Sequence, residues 1–281
     1  MAKAKVAIQG ERGAFSEVAA HQFLSDKIEI LPCESFEKLF KAVESGKTRF
    51  GVVPIENSLV GSIHRNYELL LDHKLNVIGE TYLRIIHCLV APPQVTLKKV
   101  SKVYSHPVAL DQCRNFFKKN PTIAPLSYYD TAGAVKMISE SGSTNSAAIA
   151  GPYTAELYNM KIIKKSIEDE QHNFTRFLLL GKKPVLKGDK IKTSIVFSMK
   201  NQPGGLFKAL SVFALRDIDL TKIESRPVRK KAWQYYFYVD FEGSVKDQRI
   251  KYALDHLGEI TSFIKVLGSY PVLNGRGNYS L

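Results

Sequence analysis

The first 180 residues alternate between short apolar segments and amphipathic segments, and this alternation constrains the fold more than any other feature. KVAIQG (5–10) and FGVVPIENS (50–58) are typical of buried strands, whereas SFEKLFKAVESG (35–46) places its apolar residues on one helical face. The order strand, turn, helix recurs in VSKVYSHPVALDQCRNFFKK (100–119) and NSAAIAGPYTAELYN (145–159). This pattern predicts an α/β domain with largely parallel sheets.

Polar clusters follow several of the predicted strands. In open α/β sheets, ligands bind at the carboxyl ends of the strands, where loops and helix N-termini meet. Hydroxyls, amides and glycines in these clusters suit an anion site. The clusters are GERGAFSE (10–17), ENSLVGS (56–62), SHP (105–107) and DTAG (130–133).

The pattern changes after KKPVLKGDKIK (182–192), which its charge, proline and glycine mark as a linker. Strand and helix patterns then follow in the order βαββαβ over about 80 residues, which is the ferredoxin-like order. We therefore predict an α/β domain at 1–183 and a second domain at 192–272. The second domain carries few candidate catalytic groups and is expected to serve in binding or assembly.

Net charge and cysteine content narrow the classes of protein. The formal charge of +13 suits an anionic small molecule, whereas the dispersed basic residues lack a nucleic-acid-binding pattern. No run of about 18 apolar residues predicts a membrane span, and no apolar signal segment follows the N-terminal lysines. Three widely spaced cysteines, Cys33, Cys88 and Cys113, favour a reducing cytoplasm. His87 adjoins Cys88, which leaves a catalytic pair open, although strand neighbours point to opposite faces.

Six motifs in order resemble a known family. NFTRF (173–177), PIENSLVGS (54–62), SHPVALDQC (105–113) and DTAGA (130–134) are similar to motifs of prephenate dehydratase. The last two, NQPGGLF (201–207) and ESRP (224–227), resemble the phenylalanine-binding motifs of its regulatory ACT domain.

The resemblance implies a fold and a reaction. The fold would be a two-lobed catalytic domain like that of periplasmic binding proteins, followed by a ferredoxin-like ACT domain, in a free-standing enzyme without a chorismate mutase segment. The reaction is the decarboxylating dehydration of prephenate to phenylpyruvate in phenylalanine biosynthesis, without metal or organic cofactor. Its dicarboxylate substrate needs cationic or N–H donors, and the departing hydroxyl needs one donor.

The resemblance also implies site residues. Thr175 would donate a hydrogen bond or a proton to the leaving hydroxyl, and Arg176 would either clamp a carboxylate or hold the surrounding loop. The residues expected in catalysis are Thr175, Arg176, Asn57, Ser58, Ser105 and Gln112. The residues expected to contact substrate are Ser16, Glu56, Gly61, Thr131, Asn173 and Phe177.

Several of these residues have a structural alternative. Ser16 suits an N-cap of the first helix, and Glu56, disfavoured beside a dianion, suits a cap or an ion pair. The histidines His64, His87, His106 and His172 lack metal-ligand spacing and are interpreted as structural or peripheral.

Ala14 and Phe207 depart from the family pattern. Ala14 lacks the family's hydroxyl, and the bulk of Phe207 could alter effector affinity.

Regulation would depend on more than one chain. We expect L-phenylalanine to inhibit by binding between paired ACT domains in a homodimer or homotetramer. The residues expected at this site are Asn201, Gln202, Pro203, Gly204, Gly205, Leu206, Phe207, Glu224, Ser225, Arg226 and Pro227. Three other functions stay open: an arogenate dehydratase, a non-catalytic amino-acid sensor and, least favoured, a nucleic-acid-binding protein.

Overall fold

The computed structural model describes residues 3–25, 28–184, 190–228 and 234–272. The linker predicted at 182–192 and the basic cluster RPVRKK (226–231) lie partly outside these residues. The strands are β1 (Ala4–Gln9), β2 (Ile28–Cys33), β3 (Phe50–Asn57), β4 (Gly61–Ser62), β5 (Asn76–Arg84), β6 (Cys88–Ala91), β7 (Lys102–Ser105), β8 (Ala124–Ser127), β9 (Ser146–Ala150), β10 (Lys161–Lys164), β11 (Phe174–Gly181), β12 (Ile191–Ser198), β13 (Leu220–Pro227), β14 (Tyr235–Glu242) and β15 (Phe263–Pro271).

The helices begin and end where the sequence supplies caps. Ser35 accepts a hydrogen bond from the Lys38 N–H before α2, and Asp130 accepts one from the Gly133 N–H before α6. The helices are α1 (Phe15–Leu24), α2 (Phe36–Ser45), α3 (His64–Asp72), α4 (Pro107–Asp111), α5 (Arg114–Lys119), α6 (Thr131–Ser141), α7 (Pro152–Leu157), α8 (Gly205–Ala214) and α9 (Gln248–Ile260). None of these described helices has the length and apolarity needed to cross a membrane.

Two α/β lobes form the N-terminal part. The sheet of the first lobe has the order β2-β1-β3-β11-β5, and that of the second has the order β10-β6-β9-β7-β8. The two-lobed α/β prediction is confirmed, but the sheets are mixed rather than largely parallel. Strand β3 runs toward the second lobe, whereas β11 begins there and returns, so β11 pairs antiparallel with β3 and β5.

The C-terminal domain has the predicted βαββαβ order. Its four strands form an antiparallel sheet in the order β13-β14-β12-β15. Helices α8 and α9 cover one face, where residues such as Phe197, Phe213 and Phe241 form an apolar core. Strand β13 lies at the sheet edge.

The other face of this sheet packs against the first lobe. Leu178 and Leu180 of β11 share one apolar cluster with Tyr238 and Leu267 of the C-terminal domain. Strand β15 approaches β5 so closely that a side chain at Gly268 would collide with the Val77 carbonyl oxygen. Only glycine fits this contact without a shift of the backbone. The two domains therefore share a core.

Candidate active site

A cavity of about 440 Å³ lies between the two lobes. It is at the carboxyl ends of β1 and β3, as the strand-end clusters predict. Its lining is largely apolar, with a few converging polar groups, which is typical of a small-molecule site. The lining residues are Gln9, Ala14, Phe15, Ser16, Phe36, Pro54, Asn57, Val60, Ile63, Ile85, His87, His106, Val108, Ala109, Gln112, Asp130, Thr131, Thr175 and Phe177.

Thr175 and Asn57 are opposite each other on β11 and β3, and both line the cavity. The Asn57 Oδ1 accepts the N–H groups of Leu59 (3.0 Å) and Val60 (3.1 Å), which fixes the orientation of its amide. Its Nδ2 must therefore donate, and it lies 2.9 Å from Thr175 Oγ1. Because Thr175 accepts this bond, its own hydroxyl proton remains available to a group in the cavity.

The orientation of Asn57 fixes the hydrogen bonds of its neighbours. Asn57 Nδ2 also donates to Asn173 Oδ1 (2.8 Å), so Asn173 Nδ2 donates to Gln112 Oε1 (3.0 Å). The same oxygen lies 2.9 Å from His87 Nε2, which must then carry a proton. Burial lowers the pKa of His87, and this favours the neutral ring with its proton on Nε2. His87 Nδ1 has no hydrogen-bond partner among the described residues.

His87 and Asp130 are cavity residues that the sequence did not identify. His87 was interpreted as structural or peripheral, yet it lines the cavity and binds Gln112. Asp130 caps α6 through Oδ1, and Gly10 packs so closely on its other oxygen that no side chain fits there. Burial raises the pKa of Asp130. Only the position of DTAG at a strand end hinted at Asp130, and the sequence drew attention to His87 only as the neighbour of Cys88.

Helix N-termini and neutral donors, rather than basic side chains, face the cavity. Within the described part of the chain, no lysine or arginine lines it. Ser16 in the first turn of α1 and Thr131 at the start of α6 do line it, where helix dipoles favour anions. The capping alternative for Ser16 is not found, because Ala14 occupies the N-cap of α1.

The first turn of α1 is instead fixed by Glu17. This buried carboxylate accepts the Gly13 N–H (2.7 Å) and the Arg12 guanidinium (2.9 Å). Burial alone raises the pKa of Glu17, but hydrogen bonds from His21, Arg12 and Gly13 outweigh it and lower the pKa to about 2. The loop that carries Ala14 to the cavity is thereby held in place.

Arg176 does not line the cavity, and the carboxylate clamp predicted for it does not match its position. Its side chain points to the opposite face of β11, as strand alternation requires. There it binds Glu80 of β5 (2.7 Å), Asp240 of β14 (2.5 Å) and Tyr270 of β15 (3.1 Å). Glu56, one residue before Asn57, also lies outside the lining and pairs with Lys222 (3.0 Å). The ion-pair alternative for Glu56 is the one found.

Four further predicted residues lie outside the lining. Ser58 fastens the loop before β11, because its Oγ accepts the Phe174 N–H (3.0 Å) and donates to the His172 carbonyl (2.9 Å). Ser105 is buried, with its hydroxyl donated to the Ile149 carbonyl (2.6 Å). Asn173 reaches the site through Gln112 and Asn57. Gly61 is exposed, with a positive φ of 87°.

The three cysteines are free and buried. Cys88 belongs to an apolar cluster of the second lobe, and burial raises its pKa. His87 faces the cavity instead, so the pair does not form a nucleophile and base.

A second pocket, of about 340 Å³, lies at the start of α8. It is lined by Asn201, Gln202, Gly204, Gly205, Leu206 and Phe207, with Met199, Lys200, Tyr235 and Phe237. The ESRP residues 224–227 do not line it in the single chain. Glu224 instead accepts a hydrogen bond from Ser62 (2.9 Å) of the first lobe.

Two known sequence families match the chain. The sequence profile of prephenate dehydratase matches residues 6–185, and that of the ACT domain matches residues 193–254. Arogenate dehydratase/prephenate dehydratase 2, chloroplastic, of Arabidopsis thaliana is 48% identical over 96% of the chain and 73% of its own length. Arogenate dehydratase 2 of Petunia hybrida is 46% identical over 96% of the chain and 72% of its own length.

Two solved structures are similar over nearly the whole chain. Prephenate dehydratase from Arthrobacter aurescens in complex with L-Phe has a TM-score of 0.86 and 28% identity, covering 95% of this chain and 89% of that one. GqqA, described as a novel type of quorum-quenching acylase, has a TM-score of 0.87 and 32% identity, with coverages of 96% and 98%.

Proposed function

The chain belongs to the prephenate dehydratase family, and we propose that, as a carbon–oxygen lyase, it converts prephenate to phenylpyruvate, carbon dioxide and water. The observation that carries the mechanism is the hydrogen bond from Asn57 Nδ2 to Thr175 Oγ1 (2.9 Å). It leaves the threonine proton free to bond to the departing ring hydroxyl. As the carbon–carboxylate bond breaks, its electron pair enters the ring and expels that hydroxyl, which leaves as water after taking up a proton.

The remaining cavity residues orient the substrate. The N-terminal turns of α1 and α6, with Ser16 and Thr131, are suited to the two carboxylates. Gln112 is fixed by His87 and Asn173, so its amide nitrogen is left to contact substrate. Phe177 and the other apolar residues exclude water around the ring. Ser58, Ser105 and Asn173 support this arrangement from outside the lining.

Arogenate is a second candidate substrate, and Asp130 favours it. Arogenate carries an amine where prephenate carries a keto group, and Asp130 is a carboxylate in a lining without lysine or arginine among the described residues. A carboxylate attracts an ammonium group and repels a dianion. The relatives named arogenate dehydratase support this second activity. Rates of purified protein on both substrates test the function directly.

We expect Asp130→Asn to lower kcat/KM for arogenate at least tenfold more than kcat/KM for prephenate. A hydrogen bond to a charged group contributes about 1.5–3 kcal/mol, which corresponds to roughly ten- to hundredfold. Asparagine can still cap α6 through its amide oxygen, so the helix should persist. Steady-state rates on both substrates give the ratio. Asp255→Asn, exposed on α9, is the control, and an equal loss on both substrates would exclude this role.

The ACT domain is proposed to bind L-phenylalanine between two chains and to inhibit the enzyme. The pocket at α8 opens beside Phe207, which is 76% exposed, and the ESRP residues lie on the edge strand β13. A partner's β13 would bring ESRP to the pocket in a homodimer, which could pair further into a tetramer. The L-Phe-bound relative supports this effector.

Three free, buried cysteines support a reducing compartment such as the cytoplasm.

Phe207→Asp is expected to weaken L-phenylalanine binding at least tenfold and to shift the protein toward monomers. A charge at an apolar contact between chains costs desolvation without a partner. Calorimetry measures the affinity, and sedimentation measures the oligomeric state. Tyr252→Asp on α9, another exposed aromatic position, serves as the control. Unchanged L-phenylalanine affinity in a monomer would contradict the two-chain site.

A further inference from the structure

The strand pair β3–β11 presents two adjacent cross-strand pairs to opposite sides. Asn57 and Thr175 line the cavity, whereas Glu56 and Arg176, the next pair in the register, contact the ACT domain. A register shift after Arg176 places Pro54 and Phe177 on the cavity side again. Glu56 and Arg176, the neighbours of the catalytic pair, are therefore both bound by the C-terminal domain on the face of β3 and β11 opposite the cavity.

Lys222 of β13 forms the first contact. Its Nζ lies 3.0 Å from Glu56 Oε1 and 3.2 Å from Ser62 Oγ, and its side chain is only 10% exposed. Its ammonium also lies 5.8 Å from the centre of the Tyr67 ring. Ser62 of β4 is the sheet partner of Glu56 of β3, and its hydroxyl donates a hydrogen bond to Glu224. Strand β13, which carries the ESRP residues, is thereby attached to the segment after Asn57.

Asp240 and Tyr270 form the second contact, with Arg176. These two side chains are also joined through Ser194, whose Oγ lies 2.5 Å from Asp240 Oδ1 and 2.6 Å from Tyr270 Oη. Burial favours a neutral Arg176, but Asp240 and Glu80 outweigh it and raise its pKa, so the guanidinium stays charged. Lys192 of β12, also in the C-terminal domain, forms a further ion pair with Glu80.

We propose that Glu56 and Arg176 are positioning residues, through which ACT-domain side chains hold Asn57 and Thr175 in their catalytic geometry. A hydrogen-bond donor aimed at a leaving group loses effect with small displacements, because the bond is directional. A shift of β13 or β14 relative to the first lobe would pull on the residues directly beside the catalytic pair. The proposal rests on the dehydratase activity proposed above.

Lys222→Met tests the proposal. Methionine has a similar length but lacks the ammonium that holds Glu56 and faces the Tyr67 ring. We expect kcat to fall about tenfold while KM changes less than about threefold, and Lys222→Arg to restore kcat. Lys251→Met, exposed on α9, should leave both constants unchanged. Glu56→Gln breaks the same ion pair from the other side and should give the same fall in kcat.

Melting temperatures identify variants that fail to fold, and Glu56→Gln then carries the test. A folded Lys222→Met or Glu56→Gln variant with wild-type kcat would refute the positioning role. Failure of the proposed function looks different, because the wild type itself would then be inactive on both prephenate and arogenate.

Discussion

Thr175→Val is expected to lower kcat about a thousandfold while leaving the fold intact. Removing one donor to a charge that develops in the transition state typically costs about a hundred- to a thousandfold. Valine has nearly the shape of threonine and is also β-branched, so β11 should keep its conformation. Asn57 Nδ2 loses one acceptor but retains Asn173 Oδ1 and the Phe174 carbonyl. The loss therefore reports on the hydroxyl alone.

Phenylpyruvate formation from prephenate measures this loss, with circular dichroism and the melting temperature as checks on folding. Thr175→Ser is the matched control, because it keeps the hydroxyl and removes only a methyl group. We expect it to retain kcat within about tenfold. A folded valine variant that turns over at the wild-type rate would remove Thr175 from the mechanism.

Arg176→Met is expected to lower the free energy of unfolding by about 4 kcal/mol. Removing one partner of a buried ion pair leaves the other charge unpaired, which typically costs about 3–5 kcal/mol. Here Glu80 and Asp240 are both buried and both lose the guanidinium, and Glu80 keeps only Lys192 as a charged partner among the described residues.

Denaturant unfolding measures this change in the free energy of unfolding. Arg65 offers a matched control, since it also binds two carboxylates, Glu37 (2.6 Å) and Glu68 (3.0 Å), but on the surface. Exposed pairs contribute about 0–1 kcal/mol, so Arg65→Met should cost little. Equal effects of the two substitutions would mean that the cluster around Arg176 is not buried as described.

Sequence periodicity was enough to predict the α/β alternation and the βαββαβ order, because each burial pattern is local, whereas the two lobes and the ACT domain were implied by the family resemblance. The alternation along NFTRF also contains the information that Thr175 and Arg176 face opposite sides. It does not say which side is the cavity, so the sequence left open whether Arg176 clamps a carboxylate or holds the surrounding loop. His87 could not be found in this way either, because its partner Gln112 is 25 residues away in the chain and the two meet only when the second lobe folds.

The apolar cluster shared by β11 and the ACT sheet has a consequence for engineering. A chain truncated before residue 190 would expose Leu178 and Leu180 to water and would leave Arg176 without Asp240 and Tyr270. Such a fragment should aggregate rather than act as a deregulated enzyme. A variant insensitive to feedback inhibition is therefore better obtained by substitutions at the α8 pocket than by deletion of the ACT domain. The shared core also means that the two domains should unfold together as one cooperative unit.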